Sequence, residues 1–185
     1  CGIHQLVCQF PIFGIPVEKA ILVRAFLERN RMNDADDHNR LGTELFNKGD
    51  LEGAIAEYRA DLHLRPNHAC AHYNLGLAYE KLGKQTEAIN EYNIVIRLDP
   101  NNLNALYALG SLYKGLGLAD SAINAFQRII ILSPDVVDVH KNLIFLYLEN
   151  KNDKEMSQYY LKELLRIDPS QAQNDDIKQV LERLR

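Results

Sequence analysis

Cysteine is scarce in this chain: three residues, Cys1, Cys8 and Cys70. An odd and sparse set is not a disulfide framework, although it does not exclude an oxidising compartment. No apolar run reaches the roughly 20 residues a membrane helix needs. The N-terminal stretch is uncharged apart from His4, but Pro11, Gly14 and Pro16 break it. There is no excess of positive charge either. The net charge is −4, with about +2 in the first 33 residues and about −6 in the rest. An acidic body argues against nucleic acid as the main partner, because phosphate binding needs a basic surface. No glycine-rich phosphate loop is present, and spacing defines no Ser/His/Asp set. What remains is a folded chain of 185 residues, 46% apolar and 25% charged, with room for one or two domains.

The positive signal is repetition. "YNLGLAYEKLG", from Tyr73 to Gly83, is followed 34 residues later by "YALGSLYKGLG", from Tyr107 to Gly117. A frame of 34 residues covers residues 35–168, and Pro66, Pro100 and Pro134 fall in step, with Pro169 one residue late. The first helix of each copy carries Leu41-Gly42 and Leu45, Leu75-Gly76 and Tyr79, Leu109-Gly110 and Tyr113, then Leu143-Ile144 and Tyr147. Residues at i and i+4 share a helix face. A glycine there lets the neighbouring helix come close, at a cost in helix propensity. A glycine-bearing turn follows at Gly49, Gly83 and Gly117. The second helix carries Ala54 and Tyr58, Ala88 and Tyr92, Ala122 and Phe126. Proline then stops it, since proline lacks an N–H and disfavours helix before it.

These residues at these spacings resemble the tetratricopeptide repeat family. The resemblance covers about three-quarters of the chain. It implies an all-α fold: antiparallel helix pairs stacked into a right-handed superhelical solenoid with a concave groove. Stacking is required because one pair cannot bury its apolar face alone. The expected divisions are an apolar segment at 1–15, an extra helix at 16–33, and repeats at 35–68, 69–102, 103–136 and 137–169, followed by a capping helix at 170–185. The extra helix, "PVEKAILVRAFLERN", reads as a degenerate half-repeat in the second-helix slot, packed on the first full pair. Asp61 stands where the family has a small apolar residue, and is expected to face solvent because its pair is next to the end. The fourth copy has Ile144 for glycine and one extra residue in its turn, Glu149–Asp153, so its second helix should run from Lys154 to Arg166. Asn174 or Asp175 can cap the last helix, whose Ile177, Val180, Leu181 and Leu184 form one apolar stripe.

The family resemblance places the groove on the first helix of each pair. Carried over residue by residue, its lining includes Asn39, Arg40, Tyr73, Asn74, Leu77, Asn104, Tyr107, Lys114, Lys141, Asn142 and Phe145. Chaperone-binding members hold an acidic tail with a clamp of lysine, asparagine and arginine. At the matching positions stand Asn39, Thr43, Asn74, Asn104 and Ala108. Only Asn74 fits and the cations are gone, so that clamp is not expected. Asn74 and Asn142 instead fit an asparagine ladder like that of sugar-transferase repeat domains, whereas Arg40 and Ala108 do not. A side-chain amide can donate to and accept from a peptide backbone at once. The tyrosines serve packing between helices as well as contact with a ligand.

Catalysis, metals and cofactors are not expected. Cys1-Gly2-Ile3 resembles the mature start of glutamine amidotransferases with an N-terminal cysteine nucleophile. Those enzymes need a large sandwich domain, and here proline-broken sequence leads straight into repeats. Cys1, His4 and Cys8 fit no strong metal spacing, and His68, Cys70 and His72 form a second cluster without a fourth ligand. His38, His72 and His140 share the fourth position of their repeats, where Leu106 stands in the third copy, which marks a packing position. The expected role is therefore a non-catalytic adaptor, scaffold or assembly factor that binds a peptide or helix. Residues 1–15 are too apolar for a free tail and offer a second contact, to a larger complex or to another copy. Three readings of Cys1 stay open: a removed initiator Met, a cleaved lipoprotein signal before an acylated cysteine, or a sequence that simply starts there. A membrane is a partner only in the second case. Localisation stays open with it, as cytoplasmic or as periplasmic and membrane-anchored.

Overall fold

The computed structural model describes residues 17–184, and among them every regular element is helical. The elements are α1 (Val17–Lys48), α2 (Leu51–Leu64), α3 (Ala69–Lys81), α4 (Gln85–Leu98), α5 (Leu103–Gly115), α6 (Ala119–Leu132), α7 (Val137–Phe145), α8 (Lys154–Ile167) and α9 (Asp175–Arg183). Two compact units divide the chain, the first ending at Ala71 and the second beginning at His72. In each unit, consecutive helices joined by tight turns pack as antiparallel pairs. Gly49, Gly83 and Gly117 adopt φ of 87°, 72° and 73° in those turns, a region that β-carbons disfavour.

One contact recurs inside the pairs. A β-carbon on Gly42 would stand 2.7 Å from the Tyr58 ring, one on Gly76 2.6 Å from Tyr92, and one on Gly110 2.7 Å from Phe126. The three rings are buried to within 1% of complete. Glycine is therefore what lets each ring lie flat against the first helix. The fourth copy changes both partners: Ile144 replaces the glycine, and Leu161 stands at the ring position. Both are buried. The alanine position of that copy is Ser157, whose buried hydroxyl donates to the Ile144 carbonyl at 3.2 Å.

The extra residue of the fourth copy is taken up earlier than expected. The last turn of the first helix widens to a π-turn over Leu146–Asn150 instead of lengthening the loop. Asn152 then takes φ +50°, filling the place that glycine has in the other turns. Asparagine tolerates this region better than other side chains. The second helix of the copy runs from Lys154 to Ile167, capped by the Asp153 carboxylate on the Met156 amide at 3.0 Å. Asp50 caps α2 in the same way, whereas Lys84 and Leu118, at the starts of α4 and α6, make no side-chain cap. Asn174 caps α9, and α9 buries Ile177 and Val180 in the core of the second unit. Each of those burials stabilises by about 1.5–3 kcal/mol relative to exposure. The other face of α9 is polar and exposed.

Two expectations fail in the first unit. The extra helix and the first helix of repeat 35–68 are one continuous helix, α1, of 32 residues. Nothing in "NRMNDADD" supplies a glycine, proline or cap strong enough to break it. A collinear segment cannot lie in the second-helix slot over the first pair, and Leu41 accordingly stays 40% exposed where Leu75, Leu109 and Leu143 are buried. Asp61 is fully buried, not solvent-facing. The Arg65 guanidinium donates to it at 2.7 Å and also pairs with Asp36 on α1, while His68 Nδ1 donates to its second oxygen at 2.7 Å. The carboxylate thus ties α1, α2 and the loop after α2 together.

Two stability tests follow from these contacts. Gly110→Ala should be net destabilising in urea denaturation, because overpacking costs about 1–3 kcal/mol and the better helix propensity returns only about 1 kcal/mol. In a Phe126→Leu background, which copies the fourth repeat, the same change should be neutral or stabilising. Asp61→Ala should lose about 3 kcal/mol, the low end for a broken buried pair, because Arg65 and His68 are partly exposed and can rehydrate. Asp61→Leu should lose less, since Val95, Ile129 and Leu164 fill the equivalent place elsewhere.

Candidate functional site

The first helix of each pair presents the residues expected to line a groove, and the two units present them separately. In the first unit Asn39 is half-buried and Arg40 exposed. The Arg40 guanidinium donates to Glu44 at 2.9 Å and Asp37 at 3.2 Å on its own helix. Both carboxylates hold it more firmly protonated than usual, through the Asp37 hydrogen bond first. The Thr43 hydroxyl donates to the Asn39 carbonyl at 2.9 Å.

In the second unit Tyr73, Asn74 and Leu77 are half-buried along α3. The Tyr73 ring tilts against Tyr92 with centroids 5.6 Å apart, and the Tyr107 ring meets Phe126 edge-on at 5.8 Å. The two tyrosines therefore each give one face to packing, and Tyr107 keeps 37% of its surface exposed. The Tyr92 hydroxyl donates to Glu80 at 2.9 Å. Asn104 and Lys114 are exposed on or at the ends of α5, and Lys141, Asn142 and Phe145 are half-buried on α7. Lys114 Nζ donates to Asn142 Oδ1 at 2.7 Å, and Asn142 Nδ2 donates to the Asp138 carbonyl at 3.0 Å. Lys141 lies within electrostatic reach of the loop after α8. The Asp168 carboxyl there is held below the usual carboxylate range by the Ser170 hydroxyl and the Gln171 amide, and to a lesser degree by the Lys141 charge.

The histidines at the fourth repeat position are structural partners. His38 Nδ1 donates to Glu57 and His72 Nδ1 to Glu91, both at 2.6 Å, and His140 Nε2 donates to the Pro134 carbonyl at 2.7 Å. The acidic partners were not anticipated, though Glu57 and Glu91 are 34 residues apart like the histidines they serve. In the third copy Leu106 and Ala125 stand at the two positions, so both halves of the pair are exchanged together. His68 and His72 serve different carboxylates. Among the described residues no three His, Cys, Asp or Glu side chains gather as metal ligands, and no helix is long and apolar enough to cross a membrane. Cys1, His4, Cys8 and the segment 1–15 lie outside the described residues.

Sequence profiles for the TPR repeat match residues 42–83 and 81–117, and a tetratricopeptide repeat profile matches residues 103–136. Together they span just over half of the chain, across the same pairs in which the glycine-to-ring contacts occur. The chain belongs to the tetratricopeptide repeat family. No curated protein matches it significantly. Among solved structures it is similar to MamA residues 41 to the end from Desulfovibrio magneticus RS-1, at 27% identity over 83% of this chain and 86% of that one, with a TM-score of 0.66. A tetratricopeptide repeat protein from Parabacteroides merdae is 20% identical over 82% of this chain and 60% of that one, with a TM-score of 0.76. Pseudomonas aeruginosa pilF is 21% identical over 84% and 69%, with a TM-score of 0.65. The last two share the fold alone. Tetratricopeptide repeats are in general non-catalytic protein-interaction modules, and this chain is an interaction or scaffold module in that general sense.

Burial raises the hydroxyl pKa of Tyr58, Tyr73, Tyr92 and Tyr147 above the ordinary tyrosine value, and the Glu80 charge adds to the effect at Tyr92. Above about pH 10 the unfolded chain loses these protons while the folded chain keeps them, so stability present below that pH should fall as pH rises further. Thermal melts between pH 9 and 11 should show the fall, and Tyr92→Phe should make it shallower. A pH-independent melting temperature across that range would contradict the burial of these hydroxyls.

Proposed function

We propose that this repeat protein is a non-catalytic scaffold or adaptor, and that the first helices of the second unit hold a segment of a protein partner. The observation that supports the reading is the half-exposure of Tyr73, Asn74, Leu77, Tyr107, Asn142 and Phe145 on those helices. The neighbouring Leu75, Leu109 and Leu143 are buried. Aromatic and aliphatic surfaces that remain half in water, interspersed with amides, suit an extended segment or a helix laid along them. The apolar side chains supply area and the amides satisfy backbone groups. Arg40 and Asn39 contribute less to the proposed surface, since Arg40 is already neutralised by two carboxylates on its own helix.

The apolar sequence of residues 1–15 favours a second contact, to a larger complex or to another copy. Affinity capture from native lysate separates the two surfaces. Three baits are compared: the intact chain, Asn74→Ala with Asn142→Ala, and a version lacking residues 1–15. The proposal expects the double variant to lose a partner that the truncation keeps. Loss from the truncation alone would assign binding to the N-terminal segment and set the helix surface aside.

A further inference from the structure

We propose that Lys114 and Asn142 form a receptor for a carboxylate, and that the segment bound on this surface presents an aspartate or glutamate side chain there. The inference rests on the reading of this helix surface as a segment-binding one. Its basis is a cation held in place without a countercharge. Among the described residues Lys114 forms no ion pair; Lys151, Arg166, Lys178 and Arg183 in the same unit each meet a carboxylate, and Arg128, likewise without an ion pair, is held by the Pro100 backbone carbonyl and not by a side chain. Its partner is the Asn142 amide at 2.7 Å. A lysine ammonium can only donate, so the amide oxygen must face it, which turns the Asn142 NH2 the other way. One of those N–H bonds is spent on the Asp138 carbonyl at 3.0 Å. Two N–H bonds of Lys114 and one of Asn142 are left.

A neutral anchor has a particular consequence. A carboxylate at position 142 would satisfy the lysine and cancel its charge. An amide fixes the ammonium in direction and leaves the charge whole. Asn142 is itself fixed to the backbone of α7, so the donors on α5 and α7 are set before a ligand arrives. The α5 carbonyl end favours a cation at Lys114, but that accounts for the charge and not for its tether to the next pair. Tyr107 lies two turns before Lys114 on α5 and Phe145 one turn after Asn142 on α7, each on its donor's helix face, so a bound segment has apolar contacts on either side of the group it presents, which favours a side chain within the segment. The site differs from the clamp of chaperone-binding members, whose cationic positions are occupied here by Asn39, Asn104 and Ala108.

Random peptides displayed on phage are panned against the full chain and against Lys114→Met, Lys114→Glu and Asn142→Asp. Circular dichroism melts check that each variant is folded. The wild type is expected to enrich peptides with Asp or Glu at one fixed position. Changing that acid to its amide in a synthetic peptide should weaken binding about tenfold. Lys114→Met and Asn142→Asp should lose the acidic preference while still binding peptides, and Lys114→Glu should select Lys or Arg at that position. Peptides enriched without an acidic position, or an acidic preference that survives Lys114→Met, overturn the carboxylate receptor and leave the segment-binding surface standing. Each selected peptide is also made with a free and an amidated C-terminus. Dependence on the free terminus with indifference to the internal acid overturns the side-chain assignment. Failure of the wild type to enrich any peptide overturns both readings.

Discussion

Each helix pair turns on one steric fact, the absence of a β-carbon where the second helix lays its ring. With glycine at 42, 76 and 110, Tyr58, Tyr92 and Phe126 lie within van der Waals reach of the first helix backbone. That spacing sets the depth at which the remaining core residues meet. It also sets what the adjoining face of the first helix can offer. Tyr73 and Tyr107 pack part of their surface on the same rings, at 5.6 and 5.8 Å, and keep the rest outward. The half-exposed surface is thus a by-product of close pairing: the ring that fills the interior also props up the aromatic side chains above it.

The fourth copy shows that the constraint belongs to the pair and not to either residue. Ile144 brings the branched side chain that glycine avoids, and Leu161 gives up the ring that would have met it. Volume moves from one helix to the other, and both side chains remain buried. The same copy absorbs an inserted residue by widening one turn to π geometry and recovers its register through Asn152 at φ +50°. Widening the helix before the turn keeps Leu143, Leu146 and Leu164 in one core.

Periodicity made the helix pairs legible, because the Leu-Gly, alanine, ring and proline positions each recur in at least three copies. The apolar stripe and acid-first charge order of α9 were equally plain. Features that occur once were not. Asp61 departs from an apolar pattern, and an isolated acid is most economically placed in water; its burial depends on Asp36 from α1 and on Arg65 and His68 from the loop after α2 converging there, which no local spacing announces. The continuity of α1 was hidden by the repeat frame itself, which put a boundary where the local sequence has no helix-breaking residue. For the candidate surface, position in the repeat identified Lys114 and Asn142 individually. Their contact joins two copies across 28 residues and could be seen only in the fold.

Asp50 and Asp153 close the amide ends of their helices, whereas Lys84 and Leu118 leave those of α4 and α6 to water. An aspartate cap is worth about 1 kcal/mol, so the first turns of α4 and α6 open several times more often than those of α2 and α8, other things being equal. The repeats are alike in shape but not in tempo. A partner that needed to slip a side chain under the start of a second helix would find its opening at α4 or α6, where brief fraying exposes the end of a ring-bearing helix without disturbing the glycine contact about two turns further on.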